Sequence, residues 1–240
     1  MVVTRTNEHG QPIGDALDWT AREEPSPVTL TGRHVVVEPV AERHAVDLHA
    51  ALCGPDDASL WTYRPDDAPG DESAMRARCR QWAAQPGWWT FALVPRGSGR
   101  AAGLASLLRV DAAQGSAEVG AILFGRSLQR TPAATESIVL LAAHLFDDLG
   151  YRRLEWKLDS LNAPSAAAAR RLGFTYEGRF RKAVVYQGRS RDTDWFAMTD
   201  DDWRALRPAY DAWLDPANLD DDGRQRSRLS DLTASALPRP

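Results

Sequence analysis

The spacing of hydrophobic and polar positions divides the chain into short strands and amphipathic helices. Runs rich in β-branched and aromatic residues predict strands, and apolar residues that recur every three or four positions predict helices. The predicted strands are residues 34–39, 88–94, 101–110, 116–124, 153–159, 174–187 and 192–198. The predicted helices are residues 41–52, 72–85, 131–149 and 164–172. A last helical segment begins near Asp200, and we expect Pro208 to split or kink it.

The order of these elements, β-α-α-β-β-β-α-β-α-β-β, predicts the fold class. Three consecutive strands joined by turns favour antiparallel pairing in the middle of the sheet, and the later strands are joined through helices. This order excludes a plain helical bundle, a β-sandwich and a TIM barrel. We expect an α/β fold of the mixed α+β type, with helices layered on one curved sheet.

Changes in composition mark three segments along the chain. Residues 1–28 are polar and rich in glycine and proline, so they are interpreted as an N-terminal extension. Residues 29–199 contain all the predicted strands and form the expected folded domain. Residues 200–240 are expected to form a C-terminal helix and a polar tail. The tryptophans of that helix, Trp203 and Trp213, offer a surface for a homodimer.

Composition and charge narrow the classes of function. The chain has 240 residues, with 29 Lys plus Arg against 33 Asp plus Glu and a net charge of −4 at pH 7. This balance supplies no basic surface, so nucleic acid is not an expected partner. The longest apolar run, residues 138–146, is far shorter than the roughly 20 residues of a membrane span, so no membrane partner is expected either.

Cysteine and histidine give little sign of metal or redox chemistry. Cys53 and Cys79 are too few for a disulfide framework, and the N-terminus lacks the pattern of a secretory signal, which together favour a cytoplasmic protein. His44 and His49 are five residues apart and fall on different faces of their helix, so we expect both at the surface. No metal site is predicted.

The most informative segment runs from Glu118 to Glu136. A strand enters a tight loop, and small residues then open a long helix. Free N–H groups and the dipole at a helix start suit an anion such as a pyrophosphate, and small side chains at Ala133 and Ala134 would let phosphates approach the backbone. Taken alone, the segment is equally consistent with an ordinary capped core helix.

A second segment, residues 156–174, again joins a strand end to a helix start. Asn162 can cap the helix, Pro164 suits its first turn, and the hydroxyl of Ser165 is expected to face back toward the strand end. The alternative for Asn162 is capping alone. The alternative for Ser165 is an ordinary serine of the first helical turn.

Together, in this order and spacing, the two segments resemble the GNAT acetyltransferase superfamily, and within it the Rim-type enzymes that acetylate the N-termini of ribosomal proteins. Residues 129–134, Gln-Arg-Thr-Pro-Ala-Ala, occupy a loop that in the family reads Gln/Arg-x-x-Gly-x-Gly/Ala and binds the pyrophosphate of acetyl-CoA. The Asn-x-x-Ser helix start and the Arg-Leu-Gly-Phe of residues 171–174 also match. The resemblance covers about residues 30–198. Pro132 departs from the pattern, because it stands where the family usually has glycine and lacks one N–H donor.

The resemblance implies a mostly antiparallel curved sheet with splayed central strands, acetyl-CoA as acyl donor, and direct transfer to a primary amine. It implies Ser165 as the acid that protonates the leaving thiolate, Asn162 as the residue that places the pantetheine arm, and a backbone N–H around Ile122 to Phe124 as oxyanion donor. Glu118 is the expected base, acting directly or through water, with an exposed strand glutamate paired with an arginine as the alternative. The residues expected to bind acetyl-CoA are Ile122, Leu123, Phe124, Gln129, Arg130, Thr131, Ala133, Ala134, Thr135, Asn162 and Arg171.

The residues expected at the acceptor are Trp61, Tyr63, Trp156 and Asp159. The acceptor itself is left open between a protein N-terminus and a small cationic amine such as an antibiotic or a polyamine. The acidic residues of the loop 53–70 and of the next helix start modestly favour a cationic acceptor. Two further alternatives are a transferase for a larger acyl-CoA such as succinyl-CoA and a non-catalytic acyl-CoA sensor, the latter on the ground of Pro132.

Overall fold

The computed structural model describes residues 5–222 and 224–237. Residues 1–4 of the predicted extension and residues 223 and 238–240 of the predicted tail lie outside the described residues. The strands are β1 Arg5–Thr6, β2 Pro12–Ile13, β3 Leu30–Thr31, β4 Val35–Pro39, β5 Trp88–Pro95, β6 Gly103–Asp111, β7 Ser116–Phe124, β8 Arg153–Asp159, β9 Thr175–Tyr186 and β10 Arg189–Thr199. The α-helices are α1 Ala45–Leu52, α2 Glu72–Ala84, α3 Pro132–Ala143, α4 Ala163–Arg171, α5 Asp200–Leu214 and α6 Leu229–Ala236.

Eight of these strands form one sheet in the order β3-β4-β5-β6-β7-β8-β10-β9. Every neighbouring pair is antiparallel except β7 and β8, which run parallel because α3 crosses between them. The strands β1 and β2 form a separate small hairpin in the N-terminal extension. The predicted mixed α/β fold around one mostly antiparallel sheet is confirmed.

Side-chain caps explain where several helices begin. Asp71 accepts a hydrogen bond from the N–H of Ala74 at the start of α2, and Thr199 and Asp202 form a reciprocal capping box at the start of α5. The predicted split of α5 at Pro208 is wrong, since the helix continues through this residue to Leu214. The short strand β3 and the helix α6 were not predicted.

The two faces of the sheet carry separate hydrophobic cores. The larger core joins one face to α3, α4 and α5, and it includes Trp203, Leu206 and Tyr210 of α5. The smaller core joins the other face to α1 and α2. Alternate residues of a strand therefore serve different cores, as Phe91 and Ala92 of β5 do.

The sheet opens in its centre, where β7 and β8 separate. Their parallel pairing covers only residues 116–118 of β7 and 153–155 of β8. Beyond Glu118, β7 pairs with β6 alone, and a bulge there inserts one extra residue between the pairs Gly120–Ser106 and Leu123–Leu104. Ala121 in this bulge has a φ of 50°. The predicted splayed central strands are thus confirmed, and the helices α3 and α4 both begin at the open end of the split.

Candidate functional site

A cavity of about 780 Å³ fills the split and the space between α3 and α4. The residues predicted as site residues that line it are Tyr63, Ile122, Leu123, Phe124, Gln129, Arg130, Thr131, Ala134, Thr135, Trp156, Asn162, Ser165 and Arg171. Sequence segments far apart in the chain therefore meet in one place. Four predicted site residues do not line the cavity: Trp61, Glu118, Ala133 and Asp159.

The start of α3 forms one wall of the cavity. Thr131 caps the helix, since its Oγ1 accepts from the N–H of Ala134 at 3.2 Å and donates to the carbonyl of Leu128 at 2.6 Å. Pro132 occupies the first helical position, where its fixed φ favours the helix. Within the described residues the backbone N–H groups of Arg130, Thr131 and Ala133 have no hydrogen-bond partner. The wall therefore presents unpaired donors at a helix N-terminus.

Positive charge lies beside these donors. Arg130, at the loop before α3, lines the cavity with a backbone φ of 61°. Arg171 reaches in from α4 and donates from Nη1 to Thr135 Oγ1 at 2.9 Å. Its guanidinium lies over the ring of Trp213 in α5, 4.8 Å from the ring centroid, and burial lowers the pKa of Arg171. Two arginines and three unpaired N–H groups suit a diphosphate.

The start of α4 forms the opposite wall. Asn162 caps this helix, with its Oδ1 accepting from the N–H of Ser165 at 3.2 Å, so its amide nitrogen stays available to a ligand. Ser165 faces the cavity, and its Oγ accepts from the indole Nε1–H of Trp156 at 3.0 Å. Trp156 itself is buried and contacts Phe174 edge to face at a centroid distance of 5.5 Å. The hydroxyl thus lies at the inner end of the split.

Glu118 lies at the last position of β7 that pairs with β8, and it does not line the cavity. Its Oε2 is 2.9 Å from the ammonium of Lys157 and 3.6 Å from Nε of Arg109, and Lys157 also contacts Glu155 at 3.0 Å. Burial raises the pKa of Glu118 above its ordinary value, and the charge of Lys157 opposes that shift only in part. Glu118 is therefore a buried carboxylate within an ion-pair network rather than an exposed strand residue.

Two of the predicted acceptor residues have packing roles instead. Trp61 belongs to the smaller core and donates from Nε1 to the carbonyl of Leu52 at 2.8 Å, so it anchors the segment between α1 and α2. Asp159 is buried and accepts from the N–H of Leu161 and from the hydroxyl of Tyr186, at 2.9 and 2.7 Å. These bonds hold the turn after β8 and the β9–β10 hairpin together beside the site.

Two of the five acidic residues between α1 and α2 are ion-paired with arginines. Asp57 is paired with Arg126 at 2.7 Å, Asp66 forms ion pairs with Arg64 and Arg78, and Asp71 caps α2. These ion pairs offset part of the charge on which the expectation of a cationic acceptor depended, while Asp56 and Asp67 form no ion pair within the described residues.

The structure also corrects the placement of His44 and adds lining residues. His44 is buried and not at the surface, because its Nε2 lies 2.7 Å from Glu38 Oε1 and its Nδ1 accepts from the N–H of Ala41. Ser59 and Leu60, which line the cavity beside Tyr63, were missed. Between the predicted residues Ser165 and Arg171, the lining residues Ala167 and Ala168 of α4 were also missed, although the helical spacing from Ser165 through Ala168 to Arg171 was visible in the sequence.

Two further features of the described part of the chain bear on metals and membranes. No group of three or more His, Cys, Asp or Glu side chains there could hold a metal ion. None of the helices in residues 5–222 and 224–237 combines the length and the apolar character of a membrane span.

The chain resembles known proteins in both sequence and structure. Residues 34–175 match the family model described as the acetyltransferase (GNAT) domain. A GCN5-related N-acetyltransferase from Brucella melitensis is 38% identical with a TM-score of 0.88, and the match covers 90% of this chain and 98% of that one. A Chromobacterium violaceum protein described as a GNAT-family acetyltransferase is 35% identical with a TM-score of 0.73, over 81% of this chain and 99% of that one. RimL, a ribosomal L7/L12 alpha-N-protein acetyltransferase, is 20% identical with a TM-score of 0.62, and the match covers 72% of this chain and 94% of that one. This likeness shows a shared fold. No curated protein matches the sequence.

Proposed function

We propose that this chain, which belongs to the GNAT family of acetyltransferases, transfers the acetyl group of acetyl-CoA to the α-amino group of a peptide or protein, as Rim-type enzymes do. GNAT domains are acyltransferases that use acetyl-CoA as donor. The observation that carries the proposal is the split between β7 and β8, because its cavity joins an anion-binding helix start to the hydroxyl of Ser165.

The donor would lie along the split with its diphosphate at the start of α3. The N–H groups of Arg130, Thr131 and Ala133 and the side chain of Arg171 supply hydrogen bonds and positive charge there. Compared with the family pattern, Pro132 removes only one backbone N–H donor from this helix start. The unpaired edge of β7 beyond Glu118 and the amide of Asn162 would hold the pantetheine arm, which is itself an extended chain of amides.

Glu118 would act as base through a bridging water, since it does not line the cavity. A carboxylate with a raised pKa is a better proton acceptor near neutral pH than an ordinary glutamate. The amine nitrogen then attacks the acyl carbon directly. A backbone N–H in the bulge near Ile122 would stabilise the negative charge on the acyl oxygen, and Ser165 would protonate the leaving sulfur.

Proton affinity and the charge of the loop 53–70 both favour an α-amino group as acceptor. An α-amino group has a pKa of about 8, against about 10.4 for a lysine-type amine, so a larger fraction is unprotonated at neutral pH. A polyamine or aminoglycoside would need a strongly anionic site, and two of the loop's carboxylates, Asp57 and Asp66, are already ion-paired with arginines. A peptide N-terminus needs no such site.

The residues that line the cavity favour a small, uncharged acyl group. Away from the start of α3, the lining includes Ser59, Leu60, Tyr63 and Trp156, none of which carries a positive charge. Among the described lining residues the only cations are Arg130 and Arg171, and both lie at the diphosphate end. The carboxylate of a succinyl group would therefore lack a partner, which favours acetyl.

The test is acetyl transfer by the full chain with three acceptor classes: peptides with a free α-amine, polyamines and aminoglycosides. Acetyl-CoA and succinyl-CoA are compared as donors, and products are identified by mass spectrometry. We expect turnover with acetyl-CoA and peptides. On the acidic side of the pH profile, kcat/KM should fall with an apparent pKa above the ordinary glutamate value of 4.5, because the pKa of Glu118 is raised. Glu118→Gln should remove that fall, while calorimetry should find CoA binding unchanged.

Other outcomes discriminate the alternatives. Faster acetylation of polyamines or aminoglycosides would replace the acceptor, and preference for succinyl-CoA would replace the donor. CoA binding without turnover of any amine would favour a sensor. Absence of CoA binding would overturn the proposal as a whole.

A further inference from the structure

The hydrogen bond between Trp156 and Ser165 gives the indole a role that packing alone does not require. An indole N–H can only donate, so the 3.0 Å contact makes Ser165 Oγ the acceptor. The hydroxyl hydrogen of Ser165 must then point away from Trp156. In the described part of the chain no group accepts this hydrogen.

Neighbouring contacts prevent the usual alternative for a helical serine. A serine hydroxyl near a helix start often donates to the backbone carbonyl four residues earlier, which here is that of Leu161. This carbonyl already accepts from the hydroxyl of Tyr63 at 2.9 Å and from the N–H of Ala163. The capping bond from Asn162 also holds the backbone of Ser165 in place. The free O–H is therefore directed by the indole.

The indole itself is held rigidly. Trp156 is 4% exposed, lies on the strand β8 and meets Phe174 edge to face at an interplanar angle of 73°. Its N–H cannot swing away from Ser165 without repacking the larger core. The donor is thus preorganised, as an effective electrostatic contact in a catalytic site must be.

We propose that Trp156 is a positioning residue that aims the hydroxyl of Ser165 at the leaving sulfur and stabilises the serine oxygen while it gives up its proton. This inference rests on the proposed function. During transfer the amine nitrogen forms a bond to the acyl carbon, and the C–S bond breaks with its electron pair on sulfur. Sulfur takes the proton of Ser165 Oγ, Glu118 takes the proton lost by nitrogen through water, and solvent returns a proton to Ser165.

The test is a double-mutant cycle. Trp156→Phe keeps an aromatic ring but removes the N–H, and we expect kcat to fall about ten-fold with KM for acetyl-CoA within about two-fold of wild type. In a Ser165→Ala background the same change should alter kcat by less than about two-fold, because its effect acts through the hydroxyl. Trp203→Phe is the matched control. It removes another buried indole hydrogen bond, 2.7 Å from Nε1 to Asp147, away from the cavity.

A second readout separates positioning from packing. The penalty of Trp156→Phe should shrink with acetyl thioesters whose thiols are more acidic, since these leave without help from a proton donor. A kcat equal to wild type, or equal losses in the wild-type and Ser165→Ala backgrounds, would overturn the inference. If Trp156→Phe fails to fold, Trp156→Met, whose flexible side chain fills irregular space, replaces it. Failure of the proposed function is recognised separately, because the wild-type chain itself would then be inactive.

Discussion

The buried carboxylate of Glu136 offers a quantitative test of how α3 is held against the sheet. Its two oxygens accept from three successive backbone N–H groups, those of Arg33, His34 and Val35, at 2.8, 2.6 and 3.1 Å. Gly32 lies against the same carboxylate, and a Cβ there would sit 2.4 Å from Glu136 Cδ. A methyl group at Gly32 must therefore displace the carboxylate from its donors.

The expected cost follows from those three bonds. Each buried N–H left without a partner costs about 1–3 kcal/mol, and the lower end applies here because two of the three bonds are only partly buried, giving about 3 kcal/mol for Gly32→Ala. At roughly 2–4 °C per kcal/mol for a chain of this size, the melting temperature should fall by about 6–12 °C. Glu136→Ala should cost a similar amount. The first turn of α3 should loosen as well, so both variants should bind CoA more weakly.

The assay is urea and thermal unfolding without ligand, on both single variants and the double variant. If the carboxylate is the reason for the glycine, Gly32→Ala should cost less than about 1 kcal/mol once Glu136 is alanine. Gly97→Ala is the control, since nothing lies within 4 Å of a Cβ at Gly97. Additive losses from the two changes would refute this account.

Three further predictions concern single contacts. Arg130→Gly should stabilise the fold by about 0.5–1 kcal/mol, because a backbone φ of 61° costs a non-glycine residue more than glycine loses through its greater freedom in the unfolded chain. The affinity for CoA should nevertheless fall, and a lower melting temperature of the variant would contradict the prediction. Cys53 and Cys79 should resist iodoacetamide at pH 7.5 in the folded protein and react in denaturant, because burial raises both thiol pKa values to about 11 and keeps the thiols protonated. Rapid labelling of the folded protein, measured by mass spectrometry, would be the contrary result. Trp213→Leu should raise the CoA dissociation constant about three- to ten-fold, because the ring that holds the guanidinium of Arg171 is lost, and Trp213→Phe should lie nearer to wild type. An equal loss of affinity for pantetheine, which lacks the diphosphate, would exclude an effect through Arg171.

The elements that periodicity predicted well are those whose burial follows a simple repeat. The strand of residues 101–110 and the start of the helix near residue 131 were placed within two residues of β6 and α3. The strand β3 is two residues long, and α6 is a short helix in a polar segment. A strand of two residues cannot show a period. The helix α6 does bury, fully or in part, positions at helical spacing, Leu229, Leu232, Thr233 and Ala236, but only two of these four are leucines, so the pattern is weak in the sequence.

The candidate site was predicted in outline and missed in detail for a related reason. The sequence indicated both helix starts, but the partners of Glu118 depend on the register that places β8 beside β7. Trp61 and Tyr63 are two residues apart, and only the fold determines that the first is buried and the second lines the cavity. The segment boundaries, the homodimer and the individual site roles stay predictions, but Trp203 and Trp213 are buried in the larger core and do not offer the surface expected for a dimer.

The split between β7 and β8 has a consequence for how this protein tolerates mutation. Beyond Glu118 the edge that β7 presents to the split consists of main-chain groups. Its shape is set by the bulge and by the point where pairing with β8 stops. Replacing one side chain there changes what fills the groove but does not remove the amide groups that border it. If the donor binds along this edge as proposed, sequence drift along the strand can alter which acyl group or acceptor fits without removing the main-chain groups that hold the donor.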